Sequence, residues 1–259
     1  MINSVSIITA SYNSAKFLDS TIQSVLSQTH TNWEMIIVDD CSTDDSLAMA
    51  MRYAHGDKRI KVIAQDRNSG AAIARNIAIA ASSGRFIAFL DSDDLWHPRK
   101  LEKQISFMLR NRIAFSYTSY EKVDETGKVF QKLEAPHRVK YKDLLKTCSI
   151  GCLTAIYDSD QIGKVYMPTN TKREDYATWL HILKSIDFAY GLREPLGQYR
   201  VYQSQSSSKK LKMAKENWLL YRNVEKLNLL QSCYYFTHYA VRGLLKQKFP
   251  RTARILRTS

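Results

Sequence analysis

The chain has 259 residues, of which 44% are hydrophobic and 24% charged, and a formal net charge of +13 at pH 7. No uncharged apolar stretch approaches the ~20 residues that a membrane-spanning helix needs, and the N-terminus has no signal-peptide pattern, so we expect a cytoplasmic protein. The four cysteines lack the paired spacing of a metal site and are expected to be reduced thiols.

Apolar strands alternate with helical patterns through the N-terminal half of the chain. Strands are predicted at residues 5–10, 35–38, 60–64 and 86–90, and a helix fits into each gap between them. Alternation of this kind is typical of an α/β protein with a wound, mostly parallel sheet.

Start and stop signals accompany all three helices. Ser14 is the predicted cap of the first helix. The second is predicted to start at Ser42 or Thr43, with Asp44 and Asp45 in its first turn. The third, at residues 71–81, is preceded by Ser69 and Gly70 and predicted to end at Gly84. Hydroxyl and carboxylate oxygens satisfy the free N–H groups of a helix start, acids favour its dipole, and glycine ends helices.

Three carboxylates follow the fourth strand directly, in the run Asp91-Ser92-Asp93-Asp94. The apolar residues before them show neither helical spacing nor alternation, which is typical of a parallel strand buried on both faces. Open α/β sheets bind ligands at this end of their strands. Because clustered carboxylates repel one another, we expect a divalent cation here, and oxygen ligands suit Mg²⁺ or Mn²⁺. The alternative is a solvated turn that caps the next helix.

Four segments at successive strand ends, taken together, resemble the family 2 glycosyltransferases of GT-A fold. They are residues 6–13 (SIITASYN), residues 38–44 (VDDCSTD), residues 68–70 with Arg75-Asn76, and residues 91–94. Their order and spacing match the family over roughly the first hundred residues. The resemblance implies a Rossmann-like, mostly parallel sheet flanked by helices, here followed by a C-terminal helical tail.

The resemblance also implies that strand-end side chains bind a nucleoside diphosphate sugar, most often a UDP-sugar. The implied donor-binding residues are Ala10, Tyr12, Asp40, Asn68, Arg75, Asp91, Ser92 and Asp93. Tyr12 would stack on the base, Asp40 would accept a hydrogen bond from it, and Asp91 would contact the ribose. Asp93 would ligate a Mn²⁺ or Mg²⁺ ion that bridges the two phosphates.

Several of these residues have structural alternatives. Tyr12 could pack on the sheet, and one of Asp39 and Asp40 could cap a turn. Arg75 could form a salt bridge across the site instead of reaching the donor. The resemblance assigns no role to Asp94.

A later pair of acids, Glu174 and Asp175, matches the Glu-Asp signature of the family. The pair follows Arg173 and opens a helical stretch that runs through Trp179 and Leu180. An acceptor hydroxyl attacks poorly until a base removes its proton, so the family context implies a catalytic base here. Asp175 is the candidate base, acting directly and so inverting the anomeric centre, and Glu174 would orient it or the acceptor. Acids that only favour a helix N-terminus are the alternative.

Residues 111–205 are expected to form the acceptor side, with a short helix at 141–146 and a strand at 151–157 that returns to the core sheet. Arg200 and the serines at 204 and 206–208 would fold over the diphosphate as a mobile flap, or form a solvated linker. The segment lacks the full Gln-X-X-Arg-Trp motif of polymerising family members, so we expect addition of a single sugar.

The positive charge is concentrated at the C-terminal end. Residues 209–259 contain twelve Lys or Arg and two Glu, a net charge of +10 out of +13. An imperfect amphipathic helix is predicted at residues 227–249, with basic residues along one line and apolar residues along another: His238, Arg242 and Lys246, and Phe236, Tyr239, Ala240 and Leu244. Such a helix suits an anionic membrane surface, and packing on the catalytic domain is the alternative.

Together these patterns predict an inverting glycosyltransferase that moves one sugar to a lipid-linked or oligosaccharide acceptor in bacterial O-antigen, capsule or exopolysaccharide synthesis. Residues 1–205 would form the catalytic domain, with a nucleotide-sugar half at 1–110 and an acceptor half at 111–205, and residues 206–259 the basic tail on the inner face of the plasma membrane. The alternatives are a nucleotidyltransferase of similar fold and a basic nucleic-acid-binding module. A nucleic-acid-binding module would leave the acids at 91–94 unexplained, so we expect no nucleic-acid partner.

Overall fold

The computed structural model describes residues 3–202 and 210–248. The N-terminal half alternates strands with helices: β1 (Val5–Ser11), α1 (Ala15–Leu26), β2 (Trp33–Asp39), α2 (Ser46–Gly56), β3 (Ile60–Ala64), α3 (Ala71–Ala81) and β4 (Phe86–Phe89). The four predicted strands and the third predicted helix are confirmed, with small shifts at the strand ends.

The C-terminal half mixes short strands with helices. Its elements are β5 (Leu95–Trp96), α4 (Lys100–Asn111), β6 (Phe115–Val123), β7 (Val129–Leu133), β8 (Arg138–Val139), α5 (Tyr141–Lys146), β9 (Ile156–Asp158), α6 (Ser159–Ile162), α7 (Glu174–Ile182), β10 (Ala189–Arg200), α8 (Lys210–Leu219) and α9 (Leu229–Lys248). A 3₁₀ turn occupies Cys152–Thr154 and a π-helical turn Leu220–Val224. The strand predicted at 151–157 is therefore wrong at its start, although β9 does return to the core sheet.

These strands form one sheet within the described residues, in the order β3-β2-β1-β4-β9-β6-β10-β5, with β7 beside β6 and β8 beside β10. Strands β3, β2, β1 and β4 are all parallel, as their alternation with helices predicts. Strand β9 then enters antiparallel between β4 and β6. The sheet is therefore parallel in its N-terminal half and mixed beyond it, and the loops after β1, β2, β3 and β4 share one edge.

Helices cover both faces of the sheet, so the central strands are buried on both sides. Neighbouring residues Ile7 and Ile8 of β1 are both fully buried, but in different cores. Ile7 packs with Leu18 of α1 and Leu101 of α4, whereas Ile8 packs with Ala78 of α3 and helices α5 and α7. Full burial of one such aliphatic side chain contributes about 1.5–3 kcal/mol, which explains the continuous apolar runs of the sequence.

The predicted start of the first helix is confirmed in position, and that of the second is wrong. Ser14 occupies the N-cap position of α1, but its side chain makes no capping hydrogen bond. The Ala15 N–H instead donates to Asp44 Oδ2 at 3.1 Å. Helix α2 begins at Ser46, later than predicted, so Asp44 and Asp45 precede it rather than lying in its first turn. Asp44 therefore accepts from the first residues of both helices, since its Oδ1 also takes the Ser46 N–H at 3.0 Å, and its contact with α1 is one that a local pattern cannot show.

The two glycines around α3 have different roles. Gly70 is the N-cap of α3 and has a φ of +92°, a conformation that other residues rarely adopt. Gly84 was predicted to end the helix, and this is wrong because α3 already ends at Ala81. A Cβ atom at Gly84 would lie 2.7 Å from the Ser6 nitrogen, so this glycine permits close approach to β1.

Helices α8 and α9 pack on one another and on the region of α5. Tyr221, between them, is fully buried, and its hydroxyl donates to the Leu145 carbonyl. Phe236 of α9 packs edge-on against Trp218 of α8, with ring centroids 5.4 Å apart. The apolar line through Phe236 and Tyr239 is half-buried and Phe236 packs on α8, which corresponds to the packing on the domain that the sequence left as the alternative. Within residues 3–202 and 210–248, no helix has the length and apolar character to span a bilayer.

Candidate active site

The loop after β1 presents a flat aromatic surface at the sheet edge. The Tyr12 side chain is 50% exposed, two residues after Ala10, which pairs with β2. Asn13 has a φ of 47°, and its side-chain oxygen accepts a hydrogen bond from the Thr43 N–H at 2.8 Å. This bond ties the loop to the one after β2, while the Tyr12 ring stays open to solvent, as stacking on a base requires.

Both acids at the end of β2 are buried and hydrogen-bonded. Asp39 accepts hydrogen bonds from the N–H and hydroxyl of Ser42 at 2.9 and 2.6 Å and so closes the turn. Asp40 accepts from the backbone N–H groups of Ser69 and Gly70, each at 2.7 Å. Asp40 therefore holds the loop before α3, and the expected contact to the base would share oxygens already engaged in this way.

Arg75 of α3 joins the two acidic motifs. Its guanidinium donates to Asp91 at 2.6 Å and to Glu174 at 3.1 Å, and the residue is only 8% exposed. Burial lowers the pKa of Arg75, but the charges of Asp91 and Glu174 outweigh burial and raise it well above its usual value. The salt bridge considered as the alternative is thus present. The nearby Asn68 lies exposed in the loop before α3.

The candidate base, Asp175, lies in the first turn of α7 beside Glu174. One of its oxygens accepts the Tyr176 N–H at 2.7 Å. Desolvation raises the pKa of Asp175 above its usual value; the charge of Arg173 opposes this and that of Glu174 adds to it. A carboxylate whose pKa is raised binds a proton more readily, as a general base must.

Asp93 receives a hydrogen bond from Tyr202, two residues after the end of β10. The Tyr202 hydroxyl donates to Asp93 Oδ2 at 2.8 Å, and its ring packs on Phe17 with centroids 5.3 Å apart. Arg200 donates to the carbonyls of Asp93 at 2.9 Å and Glu125 at 3.2 Å and is 5% exposed. Arg200, predicted as part of a mobile flap, is instead a buried anchor. The flap serines at 204 and 206–208 lie outside the described residues.

Asp94 and Tyr202 are site residues that sequence reasoning missed. Asp94 is buried, and its Oδ1 accepts the Arg200 N–H at 2.9 Å. Burial raises the pKa of Asp94 well above its usual value, and the charges of Asp93 and Asp91 add to the effect. Asp94 therefore fixes the end of β10 to the acidic run. Its position in that run was visible in the sequence, but its distant partner was not.

Asp91 and Asp93 remain as the carboxylates that could bind a cation. Both are partly exposed, whereas Ser92 between them is buried and its carbonyl accepts the Thr21 hydroxyl at 3.0 Å. The described residues contain no group of three or more His, Cys, Asp or Glu arranged to hold a metal ion. Mg²⁺ at phosphate sites usually takes only one or two protein carboxylates, with phosphate and water as the other ligands. The pair fits that donor set.

The family of this chain follows from a comparison with protein-family models. The model described as Glycosyl transferase family 2 matches residues 6–196. The chain belongs to glycosyl transferase family 2. The match spans the sheet of this family 2 enzyme from β1 to β10 and includes Tyr12, Arg75 and both acidic motifs, so the resemblance noted in the sequence is confirmed.

Curated relatives extend over nearly the whole family 2 enzyme. It is 45% identical to the putative teichuronic acid biosynthesis glycosyltransferase TuaG of Bacillus subtilis, over 94% of this chain and 97% of that protein. It is 42% identical to Escherichia coli WfgD, named as a UDP-Glc:alpha-D-GlcNAc-diphosphoundecaprenol beta-1,3-glucosyltransferase, over 95% of each chain. The protein is therefore a glycosyltransferase.

Solved structures confirm the predicted GT-A fold. S. aureus TarS in complex with UDP-GlcNAc superposes on 92% of this enzyme and 71% of its own chain, with a TM-score of 0.70 and 20% identity. The mannosyltransferase PcManGT of Pyrobaculum calidifontis, solved with GDP-Man and Mn²⁺, covers 97% of this enzyme at a TM-score of 0.66 and 16% identity, with 77% of its own chain matched. At these identities the likeness concerns the fold alone.

Proposed function

We propose that this glycosyltransferase moves one sugar from a UDP-sugar to a lipid-linked acceptor, with a divalent metal and with inversion of the anomeric centre. The observation that carries the proposal is the double contact of Arg75. Because one guanidinium touches both Asp91 and Glu174, the edge that would hold the donor diphosphate lies beside the start of α7. A donor bound there would have its sugar next to Asp175.

Asp175 supplies the chemistry of the acceptor. Its raised pKa suits removal of the proton from an acceptor hydroxyl while that oxygen attacks the anomeric carbon. One displacement by one oxygen inverts the anomeric centre, so an α-linked donor gives a β-glycoside. Glu174, held by Arg75, keeps the start of α7 in place.

Asp93 would hold Mn²⁺ or Mg²⁺ and Asp91 would contact the ribose; both carboxylates are partly exposed in the acidic run. When bound, the ion neutralises charge on the departing nucleoside diphosphate. Tyr12 would stack on the base, and Ala10, Asn68 and Ser92 would line the same pocket. Asp40 would contact the base with the oxygens that also accept the N–H groups of Ser69 and Gly70.

The names of two relatives support the proposed substrates. WfgD is named for UDP-Glc and for a diphosphoundecaprenol-linked acceptor, and this chain is 42% identical to it. TuaG is named for teichuronic acid biosynthesis. We therefore propose a lipid-linked acceptor in bacterial surface-polysaccharide synthesis, and a cytoplasmic enzyme on the inner face of the plasma membrane, with residues 1–205 catalytic and residues 206–259 as the membrane-facing tail.

The decisive experiment measures release of nucleoside diphosphate from UDP-, GDP- and dTDP-sugars with a polyprenyl-diphosphate-linked sugar as acceptor. Wild type, Asp93→Ala and Asp175→Asn are compared with Mn²⁺, Mg²⁺ or EDTA, and Asp160→Asn is the control because this acid is exposed on α6. We expect turnover of one UDP-sugar that EDTA and both site variants abolish. Asp175→Asn should still bind the donor, since it lacks only the base.

Each part of the proposal has its own contrary result. Release of pyrophosphate would identify a nucleotidyltransferase instead. Full turnover in EDTA would refute the metal, and an α-linked product from an α-linked donor, read from the anomeric coupling in NMR, would refute inversion. Transfer of several sugars to one acceptor would refute single addition.

A further inference from the structure

Helix α9 carries an apolar face that points away from the domain. Leu230, Tyr234 and Val241 are 82%, 53% and 48% exposed. With the exposed residues Cys233 and Thr237, they recur at intervals of three or four positions and therefore form one stripe along the helix. We call this stripe the outer face of α9. Large apolar side chains grouped in this way mark an interaction site more often than scattered ones do.

The opposite side of α9 is fixed to the protein. Ser232 is fully buried, Phe236 packs on Trp218, and the ring centroids of Tyr235 and Tyr221 are 6.4 Å apart. The outer face is therefore held at one orientation relative to the acceptor half. A helix that only covered its own domain would not need a second apolar side.

Helix α8, the turn after it and α9 carry an excess of positive charge, which selects the partner of the outer face. Lys212 and Lys215 of α8 and Lys226 of the turn before α9 are exposed, whereas the acid Glu225 forms an ion pair with Lys184 at 2.7 Å. Residues 209–259 carry a net charge of +10. Two copies of this chain meeting here would bring like charges together, whereas an anionic lipid surface would attract them.

We propose that the outer face of α9 is an interfacial membrane anchor, which inserts Leu230, Tyr234 and Val241 into the surface of an anionic bilayer. The anchor deepens the membrane location given under the proposed function and rests on that function only for the lipid-linked acceptor. Amphipathic helices bind in this way through buried apolar area plus attraction to anionic lipid.

The position of α9 gives the anchor a use. Tyr235 and Phe236 pack against the same core as Tyr176 and Trp179 of α7, the helix that begins with the candidate base. A bilayer bound at the outer face would therefore lie on the acceptor side of the molecule. An acceptor whose lipid stays in the membrane would then need to extend only its sugar to Asp175.

The test is co-sedimentation of the full chain with vesicles of phosphatidylcholine alone or mixed with phosphatidylglycerol. We expect binding to the anionic vesicles that weakens as salt is raised. The double variant Leu230→Ser/Val241→Ser should lower the partition coefficient by at least about tenfold, because it removes two apolar side chains that the bilayer would bury. Phe130→Ser, which removes a similarly exposed aromatic ring on β7, is the matched control and should bind as wild type does.

An environment-sensitive dye on Cys233 reports insertion directly. Its emission should shift to the blue with anionic vesicles, because Cys233 lies on the outer face. Unchanged emission, or equal binding of the double variant and wild type, would overturn the proposal. So would a dimer of wild type in the absence of lipid that the double variant lacks, since the face would then join two copies. Turnover of the donor with a water-soluble acceptor should be equal in both proteins, so failure of the anchor and failure of the proposed activity are separable.

Discussion

Replacing Arg75 by glutamine removes the cation that joins Asp91 to Glu174. Breaking a buried ion pair by removing one partner costs about 3–5 kcal/mol, because the remaining charge stays desolvated. Here the side chains of Asp91 and Glu174 are 26% and 20% exposed, so water compensates in part. We therefore expect Arg75→Gln to lower the free energy of unfolding by about 2–4 kcal/mol.

Urea denaturation followed by far-UV circular dichroism measures this loss. Arg59→Gln is the matched control, because Arg59 pairs with Asp57 at 2.6 Å but its own side chain is 39% exposed against 10% for Arg75, and it should cost at most about 1 kcal/mol. Arg75→Lys keeps the charge but not the fork that reaches two carboxylates, so its loss should be intermediate. Equal losses for Arg75→Gln and Arg59→Gln would refute the assignment of Arg75 as the link between the acidic motifs.

Three further predictions concern single side chains. Transfer by wild type should decline as pH falls through a value above the usual pKa of Asp175, because desolvation raises that pKa and only the carboxylate is a base; a pH–rate profile that stays flat into the ordinary aspartate range would contradict this. Tyr202→Phe should weaken Mn²⁺ binding about 10–100-fold, as loss of a hydrogen bond to a metal-ligating carboxylate does, measured calorimetrically with UDP present; unchanged affinity would remove Tyr202 from the site. Burial lowers the pKa of Lys100 well below its usual value, so between the lowered pKa and the usual one the unfolded chain binds more protons than the folded chain. Stability should therefore rise with pH across this window. Lys100→Met should reduce that rise, and identical pH dependence of the urea midpoint in both proteins would show that Lys100 is charged in the fold.

Much of the fold could be read from local patterns. Strands buried on both faces need continuous apolar runs, and alternating helices leave a parallel order as the simplest arrangement, so β1 to β4 and α3 were predictable. The helix starts were less so, because Ala15 is capped by Asp44 of another loop rather than by its neighbour. The side of α9 that packs on the domain could not be predicted for a related reason. An amphipathic pattern shows two faces but not which one packs on Trp218.

The candidate site divides in the same way. The acids at 91–94 and 174–175 were visible because carboxylates at strand ends and helix starts stand out from an apolar background. The partners of these acids were not visible, since Asp94 and Asp40 accept backbone N–H groups, whereas the partly exposed Asp91 and Asp93 accept hydrogen bonds from the side chains of Arg75 and Tyr202. The metal and the base stay predictions for the experiments above.

The amino-acid sequence by itself determined the family, the order of the N-terminal strands and the carboxylates available for chemistry, because each depends on residues close together in the chain. Only the tertiary structure decided which carboxylates are engaged and by what. Arg75 meets Glu174 across 99 positions, and Tyr202 meets Asp93 across 109. Such contacts depend on where the end of β10 and the start of α7 lie relative to the ends of β1 to β4, and packing geometry rather than local pattern sets that arrangement.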